Sequence, residues 1–208
     1  MTGRDLLLPN VAANPSRQHA LALIGGCHEP RNIVTDMYSR FMARSFNQPI
    51  CVEIGPGAGR KEGPTWIGVD VRLFAEVDLL ASVTTLPFAN EVISHIVMGN
   101  TLEHVPSYET MIVLRELHRV LVPGGKLNIS VPKIEGIIRM LSKGLQDVTV
   151  FQDAMRQLYG PQDDPLVGFH YTIFEEKRFL VMLMEAGFRF SGWVYNTDMG
   201  CHAYVEKV

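Results

Sequence analysis

The sequence has few cysteines and no metal-binding motif among them. The three cysteines, Cys27, Cys51 and Cys201, are odd in number and widely spaced. This spacing is not that of metal ligands, so we expect free thiols in a reducing compartment. The sequence therefore predicts a cytoplasmic protein without a metal site.

Runs of basic residues and long apolar segments are also missing. The net charge is −3 and Lys and Arg are scattered, which argues against a nucleic acid partner. No apolar stretch is long enough to span a bilayer, so no membrane association is expected. Internal repeats and low-complexity segments are absent as well. The 208 residues are therefore predicted to form a single domain, residues 1–208, with a sizeable core.

One glycine-rich stretch follows a short apolar run. Ile50 to Ile54 is β-branched and ends abruptly at Gly55, which predicts a buried parallel strand. Gly57 and Gly59 continue a loop whose backbone can approach a ligand closely. Glu53 is unusual in this strand, because burying an unpaired carboxylate costs several kcal/mol or more. We expect Glu53 to be protonated or to face a cation or hydrogen-bond donors.

A second carboxylate ends the next apolar run, Trp66 to Asp70. A glycine loop after one strand and an acid after the next are typical of a nucleoside site in an α/β fold. The acid in such a site hydrogen-bonds the ribose hydroxyls. Asp70 is accordingly the strongest single candidate for ligand binding.

Several segments resemble motifs of the class I S-adenosylmethionine-dependent methyltransferases, in particular the type-11 methyltransferase domain. They occur in the expected order and cover about residues 50 to 131. The segments are Val52-Glu53-Ile54-Gly55-Pro56-Gly57-Ala58-Gly59, Gly68-Val69-Asp70, Leu86-Pro87-Phe88, Leu102-Glu103-His104 and Arg119-Val120-Leu121-Val122-Pro123-Gly124-Gly125.

The resemblance implies S-adenosylmethionine as methyl donor and S-adenosylhomocysteine as product. The implied cofactor site lies at the carboxyl ends of the strands. The predicted cofactor-binding residues are Glu53, Ile54, Gly55, Pro56, Gly57, Gly59, Asp70, Val71, Ser82, Val83, Asn100, Thr101 and Leu102.

The alternation of strands and helices predicts a doubly wound, Rossmann-like α/β fold. We expect a seven-stranded, mostly parallel sheet with an antiparallel last strand, in a three-layer sandwich. An irregular arm over residues 1–30 and a helix over residues 32–46 should precede the first strand. Residues 133–172 are mostly helical in pattern and are predicted to cover the acceptor side as a lid.

Two features depart from the family pattern. Only six residues separate Gly59 from Trp66, and Gly63-Pro64 would end a helix at once, so we expect a tight loop there. The acid that binds adenine in many relatives, shortly before Leu86, is missing. Asp78 is the nearest acid, and Ser82 or backbone groups would have to replace it.

Methyl transfer from a sulfonium needs mainly positioning, so no obligatory nucleophile is expected. A base is also needed if the acceptor is a hydroxyl or an ammonium. The candidates are His104, His170 and Tyr171, for each of which a packing or surface role remains open. We expect a small-molecule acceptor.

Two other functions remain open. A nicotinamide-dependent oxidoreductase also uses a glycine loop and an acid. Its third glycine comes one residue later, however, and leads into a long helix. A non-catalytic relative that binds the cofactor without turnover is the second alternative.

Overall fold

The computed structural model describes residues 49–57, 59, 62, 66–72, 77–164, 168–191, 195–196 and 200–208. The predicted arm over residues 1–30 and the predicted helix over residues 32–46 lie outside these ranges.

One mixed sheet forms the centre of the described part. Its strands are β1 (Cys51–Ile54), β2 (Ile67–Asp70), β3 (Leu79–Leu80), β4 (Ile93–Gly99), β5 (Leu121–Pro132), β6 (Phe188–Phe190), β7 (Tyr195–Asn196) and β8 (Gly200–Lys207). They are arranged in the order β3-β2-β1-β4-β5-β8-β6, and the short strand β7 pairs with β8. This is the doubly wound α/β topology predicted from the sequence.

The strand directions confirm a mostly parallel sheet with an antiparallel strand at the end of the chain. The first five strands pair in parallel, while β8 runs antiparallel to both β5 and β6. β6 therefore has the same direction as the first five strands. The chain turns from the last helix into β6 at Gly187, whose φ of +97° favours glycine.

Helices connect the strands. They are a 3₁₀ turn (Leu102–His104), α1 (Thr110–Val120), α2 (Ile134–Gly144), α3 (Val148–Tyr159) and α4 (Glu176–Glu185). Within the described ranges, no helix combines the length and apolar character needed to cross a membrane. Of residues 60–65, where a tight loop is predicted between β1 and β2, only residue 62 is described, and the rest of that predicted loop lies outside the described residues.

The apolar core fills one face of the sheet. Apolar residues recur at helical spacing in α1, where Val113, Leu114 and Leu117 are fully buried. On α4, Phe179 is also fully buried and makes an edge-to-face contact with Phe174. Burial of these side chains holds α1 and α4 against the face of the sheet. The carboxyl ends of the strands therefore stay available for a ligand.

Arg119 and Glu116 on α1 hold the segment that contains Leu86-Pro87-Phe88. Arg119 donates from Nη1 to the Phe88 carbonyl (2.9 Å) and from Nη2 to the Leu86 carbonyl (3.3 Å). Glu116 pairs with Arg119 and accepts from the Leu86 N–H at 2.7 Å. This clamp gives the arginine of the predicted motif a structural role, because it fixes the Leu86-Pro87-Phe88 segment against α1.

We expect Arg119→Met to lower the free energy of unfolding by about 1.5–3 kcal/mol, because it removes several charge-assisted hydrogen bonds and unpairs Glu116. Urea titration followed by circular dichroism measures the change. Arg115→Met on the exposed side of the same helix is the matched control. Equal losses in the two variants would show that the clamp adds nothing to stability.

Candidate functional site

A cavity of about 390 Å³ opens at the carboxyl ends of β1, β2 and β4. Parallel strands bring their carboxyl ends to one edge of the sheet, so residues distant in sequence meet there. The lining residues are Gly55, Asp70, Val71, Arg72, Ser82, Val83, Thr84, Asn100, Thr101, His104, Val105, Pro106, Glu109, Pro161 and Asp163.

Gly55 forms the turn out of β1 against the cavity. Its N–H donates to the Val69 carbonyl at 2.8 Å, and its φ is +67°. A Cβ at this position would overlap the Thr101 side chain, with Cγ2 only 2.9 Å away. Both the backbone conformation and the close approach of Thr101 therefore require glycine here.

Asp70 joins the glycine loop to the end of β2. Its Oδ2 accepts from the Gly57 N–H at 3.3 Å, and its Oδ1 accepts from the Arg72 N–H at 2.9 Å. The Arg72 guanidinium lies 3.7 Å from Oδ1. A carboxylate has about four lone-pair directions, so these bonds leave capacity for further donors from the cavity.

The charged residues around the cavity are mainly acidic. Asp70, Glu109 and Asp163 line it, against the single guanidinium of Arg72 among the described lining residues. Such a cavity attracts cationic groups, because the charges act across a partly desolvated space.

The structure brings seven of the predicted cofactor-binding residues to this cavity: Gly55, Asp70, Val71, Ser82, Val83, Asn100 and Thr101. The N–H of Gly57 donates a hydrogen bond to Asp70, which lines the cavity. Pro56 is buried and Gly59 is exposed beside the loop, while Leu102 packs fully in the core. Ligand contacts by these residues stay predictions.

Glu53 and Ile54 lie at a second, smaller cavity of about 220 Å³, lined by residues of β1, β4, β5 and β8. The Glu53 side chain is buried, and its Oε2 accepts from the Glu62 N–H at 3.4 Å. Successive side chains of a strand point to opposite faces, so Glu53 shares a face with Val97 and Asn128, its neighbours on β4 and β5. A direct contact between Glu53 and a ligand in the first cavity stays a prediction.

Asp78 does not line the larger cavity. It is buried, and its Oδ2 accepts from the Gly68 N–H at 2.7 Å, which joins the start of β3 to β2. The nearest acid before Leu86 is therefore used within the sheet. Ser82 and Val83 do line the cavity, at the place where the sequence analysis put a substitute for the adenine-binding acid.

His104 and His170 come together beside the cavity. Their ring centroids are 4.8 Å apart and the rings are nearly perpendicular. His104 follows β4, whereas His170 lies in the loop before α4. Tyr171 is half exposed next to them, and its backbone N–H donates to the Glu103 carbonyl at 2.8 Å.

Burial alters the acid–base properties of this group. Burial raises the pKa of the Glu103 carboxyl to about 8, an effect that a hydrogen bond from its own backbone partly offsets. Burial also lowers the pKa of His170, and repulsion from His104 adds to this while a hydrogen bond to the Gln157 carbonyl opposes it. The His170 imidazole is therefore neutral near pH 7 and able to accept a proton.

The sequence analysis missed Arg72 and Asp163 as possible site residues, and it did not foresee that Glu103 is buried. Arg72 could have been found, because it stands two residues after Asp70 at the same strand end. Glu103 lies within the motif Leu102-Glu103-His104, but nothing in the sequence around it indicated that its side chain is buried. Asp163 reaches the cavity from a loop after α3, and no local pattern in the sequence predicts that approach.

The family model described as a methyltransferase domain matches residues 37–129, which include the glycine loop and Asp70. In this segment the chain is similar to a methyltransferase domain. This match confirms the resemblance to the S-adenosylmethionine-dependent methyltransferases that the motifs indicated. No curated protein matches the chain in sequence.

Solved methyltransferases share the fold of this chain. An S-adenosylmethionine-dependent methyltransferase from Methanosarcina mazei is 19% identical, with a TM-score of 0.53 over 77% of this chain and 94% of that chain. A possible histamine N-methyltransferase from Thermotoga maritima is 20% identical, with a TM-score of 0.54 over 77% and 83%. The 1,6-didemethyltoxoflavin-N1-methyltransferase of Burkholderia thailandensis, solved with 1,6-didemethyltoxoflavin and S-adenosylhomocysteine, is 16% identical, with a TM-score of 0.53 over 77% and 72%.

Proposed function

We propose that this chain binds S-adenosylmethionine in the larger cavity and transfers its methyl group to a small-molecule acceptor. The observation that carries the proposal is that one cavity is lined both by the predicted cofactor residues, from Gly55 and Asp70 to Thr101, and by His104, a predicted catalytic residue.

The residues of the cavity fit this cofactor. Asp70 keeps lone pairs available for the ribose hydroxyls while it holds the glycine loop through Gly57. The excess of carboxylates over cations suits a ligand that carries both a sulfonium and an ammonium group. The side-chain hydroxyl of Ser82 and the neighbouring backbone stand at the same cavity, where they could bind the adenine edge.

The bound cofactor would supply an activated methyl carbon, and the chain would supply position and proton transfer. A hydroxyl or ammonium acceptor has to lose a proton before or during attack on that carbon. His104 lines the cavity, and the neutral His170 lies directly behind it. Tyr171, on the exposed side of the pair, is the third group that could contact an acceptor.

Residues 133–172 support a small-molecule acceptor. Within this segment α2 and α3 form a helical hairpin, and the loop that follows contributes Pro161 and Asp163 to the cavity. A segment of this kind can exclude water from the reacting atoms. The Burkholderia enzyme of the same fold, which acts on 1,6-didemethyltoxoflavin, is an example with a small acceptor.

Isothermal titration tests the cofactor directly. We expect S-adenosylhomocysteine to bind at one site per chain with a dissociation constant between about 1 µM and 1 mM, the usual range for enzyme ligands. NAD should not bind under the same conditions. Absence of binding to folded protein at millimolar S-adenosylhomocysteine would contradict the proposal, and binding of NAD instead would favour an oxidoreductase.

Turnover separates an enzyme from a binding protein. Radiolabelled S-adenosylmethionine would be incubated with a panel of hydroxyl and amine acceptors, and label transfer would be measured. Cofactor binding without transfer to any acceptor would favour the non-catalytic alternative. Transfer found only to tRNA or protein would contradict the small-molecule acceptor.

A further inference from the structure

Glu103, His104 and His170 form a compact group of metal-ligand side chains. Each offers one ligand atom, and the three atoms all lie within 4.8 Å of one another. Glu103 and His104 belong to the 3₁₀ turn after β4, and His170 comes from the loop before α4. The sequence analysis predicted no metal site, because it considered the cysteines and could not foresee this approach.

Glu103 contributes a buried carboxylate that is only partly compensated within the described part of the chain. The residue is 1% exposed, and its Oε2 has no hydrogen-bond partner there. An ionised carboxylate in such a place is costly unless a cation or donors compensate it. A divalent ion between the carboxylate and the two imidazoles would provide that compensation.

Both histidines have the ring orientation found in metal ligands. The Nδ1 of His104 lies 2.9 Å from the Phe169 carbonyl, and the Nδ1 of His170 lies 2.7 Å from the Gln157 carbonyl. A carbonyl oxygen only accepts, so each Nδ1 carries the proton and each lone pair is on Nε2. Metal-binding histidines almost always donate their other N–H to a backbone carbonyl, a carboxylate or water in this way.

Backbone hydrogen bonds hold the two parts of the group together. The N–H groups of Tyr171 and Thr172 both donate to the Glu103 carbonyl, at 2.8 and 3.1 Å. The Thr172 hydroxyl donates to the Val105 carbonyl at 2.7 Å. The His170 loop is thus fixed against the 3₁₀ turn independently of any ligand.

We propose that Glu103, His104 and His170 bind a divalent first-row transition metal such as Zn²⁺. Two imidazoles and one carboxylate suit Zn²⁺ and its neighbours, whereas Mg²⁺ and Ca²⁺ prefer oxygen ligands. Ligand atoms about 2.0–2.2 Å from zinc stand roughly 3.3–3.6 Å apart in a tetrahedral site. Binding therefore draws the three side chains inward by about 1 Å.

Three protein ligands leave a coordination position open, and His104 lines the cavity, so that position faces the acceptor space. This part of the inference rests on the proposed function. With their lone pairs bound to the ion, His104 and His170 no longer act as bases, and the ion takes over that role: an acceptor hydroxyl that coordinates it loses its proton to solvent more readily. Its oxygen forms the bond to the methyl carbon, the carbon–sulfur bond breaks with its electron pair going to sulfur, and the products are a methyl ether and S-adenosylhomocysteine.

Cobalt and zinc titrations of the metal-free full chain test the site. We expect one Co²⁺ per chain with visible d–d absorption bands, displaced by Zn²⁺. Glu103→Gln and His170→Gln should each weaken Zn²⁺ binding by about 100-fold, because each removes one of three ligands. His118→Gln, a half-buried histidine outside the group, is the matched control and should bind as the parent does.

Circular dichroism shows whether each variant is folded. If His170→Gln does not fold, Glu103→Gln still tests the site, because glutamine has the same shape as glutamate. Absence of Co²⁺ and Zn²⁺ binding at millimolar concentration, or binding that persists in folded Glu103→Gln, would overturn the site. Acetohydroxamate, an oxygen chelator, should shift the Co²⁺ bands of the loaded protein. Unchanged bands at saturating acetohydroxamate would overturn the open position.

Titration with S-adenosylhomocysteine on the same samples separates this inference from the proposed function. Cofactor binding without metal binding would remove the metal site and leave the proposed methyl transfer. Metal binding without cofactor binding would support the metal site and contradict the proposed methyl transfer.

Discussion

Replacement of Asp70 by asparagine is expected to weaken S-adenosylhomocysteine binding by at least about tenfold. The carboxylate accepts from the N–H groups of Gly57 and Arg72 and keeps lone pairs for the ribose hydroxyls. Asparagine has the same shape but one acceptor oxygen, so its NH₂ group must face a donor. Charge-assisted hydrogen bonds contribute about 1.5–3 kcal/mol each, and about 1.4 kcal/mol corresponds to tenfold in affinity.

Isothermal titration measures this change, and Glu109→Gln controls for charge. Glu109 lines the same cavity, so its replacement removes an equal charge without touching the loop bonds of Asp70. We expect only a few-fold loss in that variant, because a charge that makes no hydrogen bond to the ligand is largely screened. Equal losses in both variants would show that Asp70 acts through charge alone, and unchanged affinity in Asp70→Asn would place the ribose elsewhere.

Replacement of Gly55 by alanine is expected to lower the free energy of unfolding by roughly 2–4 kcal/mol. The positive φ costs a residue with a Cβ about 1–2 kcal/mol, and overlap of that Cβ with Thr101 adds the cost of overpacking. The loop can relieve the overlap only by moving into the cavity. Cofactor affinity should therefore fall together with stability.

Gly124→Ala is the matched control for Gly55→Ala. Gly124 also has a positive φ, +73°, but a Cβ there meets no atom within 4 Å. Chemical denaturation should show the backbone cost alone in this variant. The double variant Gly55→Ala/Thr101→Ala should regain the part of the stability that overlap removes. Similar losses in Gly55→Ala and Gly124→Ala would show that Thr101 does not constrain the turn.

The resemblance to a methyltransferase domain could be recognised from short segments, because the motifs of that family are local patterns. A glycine loop directly after a strand and an acid directly after the next strand come to the same sheet edge in any parallel α/β fold. Gly55 and Asp70 therefore lie where the sequence predicted them, at one cavity. The mostly parallel sheet and its antiparallel last strand followed from the order of the elements along the chain, whereas the order of the strands within the sheet was not predicted.

The environment of a side chain was harder to predict where it depends on which neighbouring strand covers it. Strand alternation places the Glu53 side chain at the smaller cavity, and its predicted contact with the cofactor stays a prediction. Asp78 stood near the expected adenine site in sequence, but it accepts a hydrogen bond inside the sheet. In each case a neighbouring strand decided the environment of the side chain.

The sequence by itself determined the fold class and the methyltransferase resemblance, because periodicity and turn residues act over a few positions. Only the tertiary structure decided that Glu103, His104 and His170 meet. Their approach depends on hydrogen bonds from the backbone of Tyr171 and Thr172 to Glu103, between segments far apart in the chain. Contacts of that kind arise from the packing of the whole domain, and no local spacing of residues encodes them.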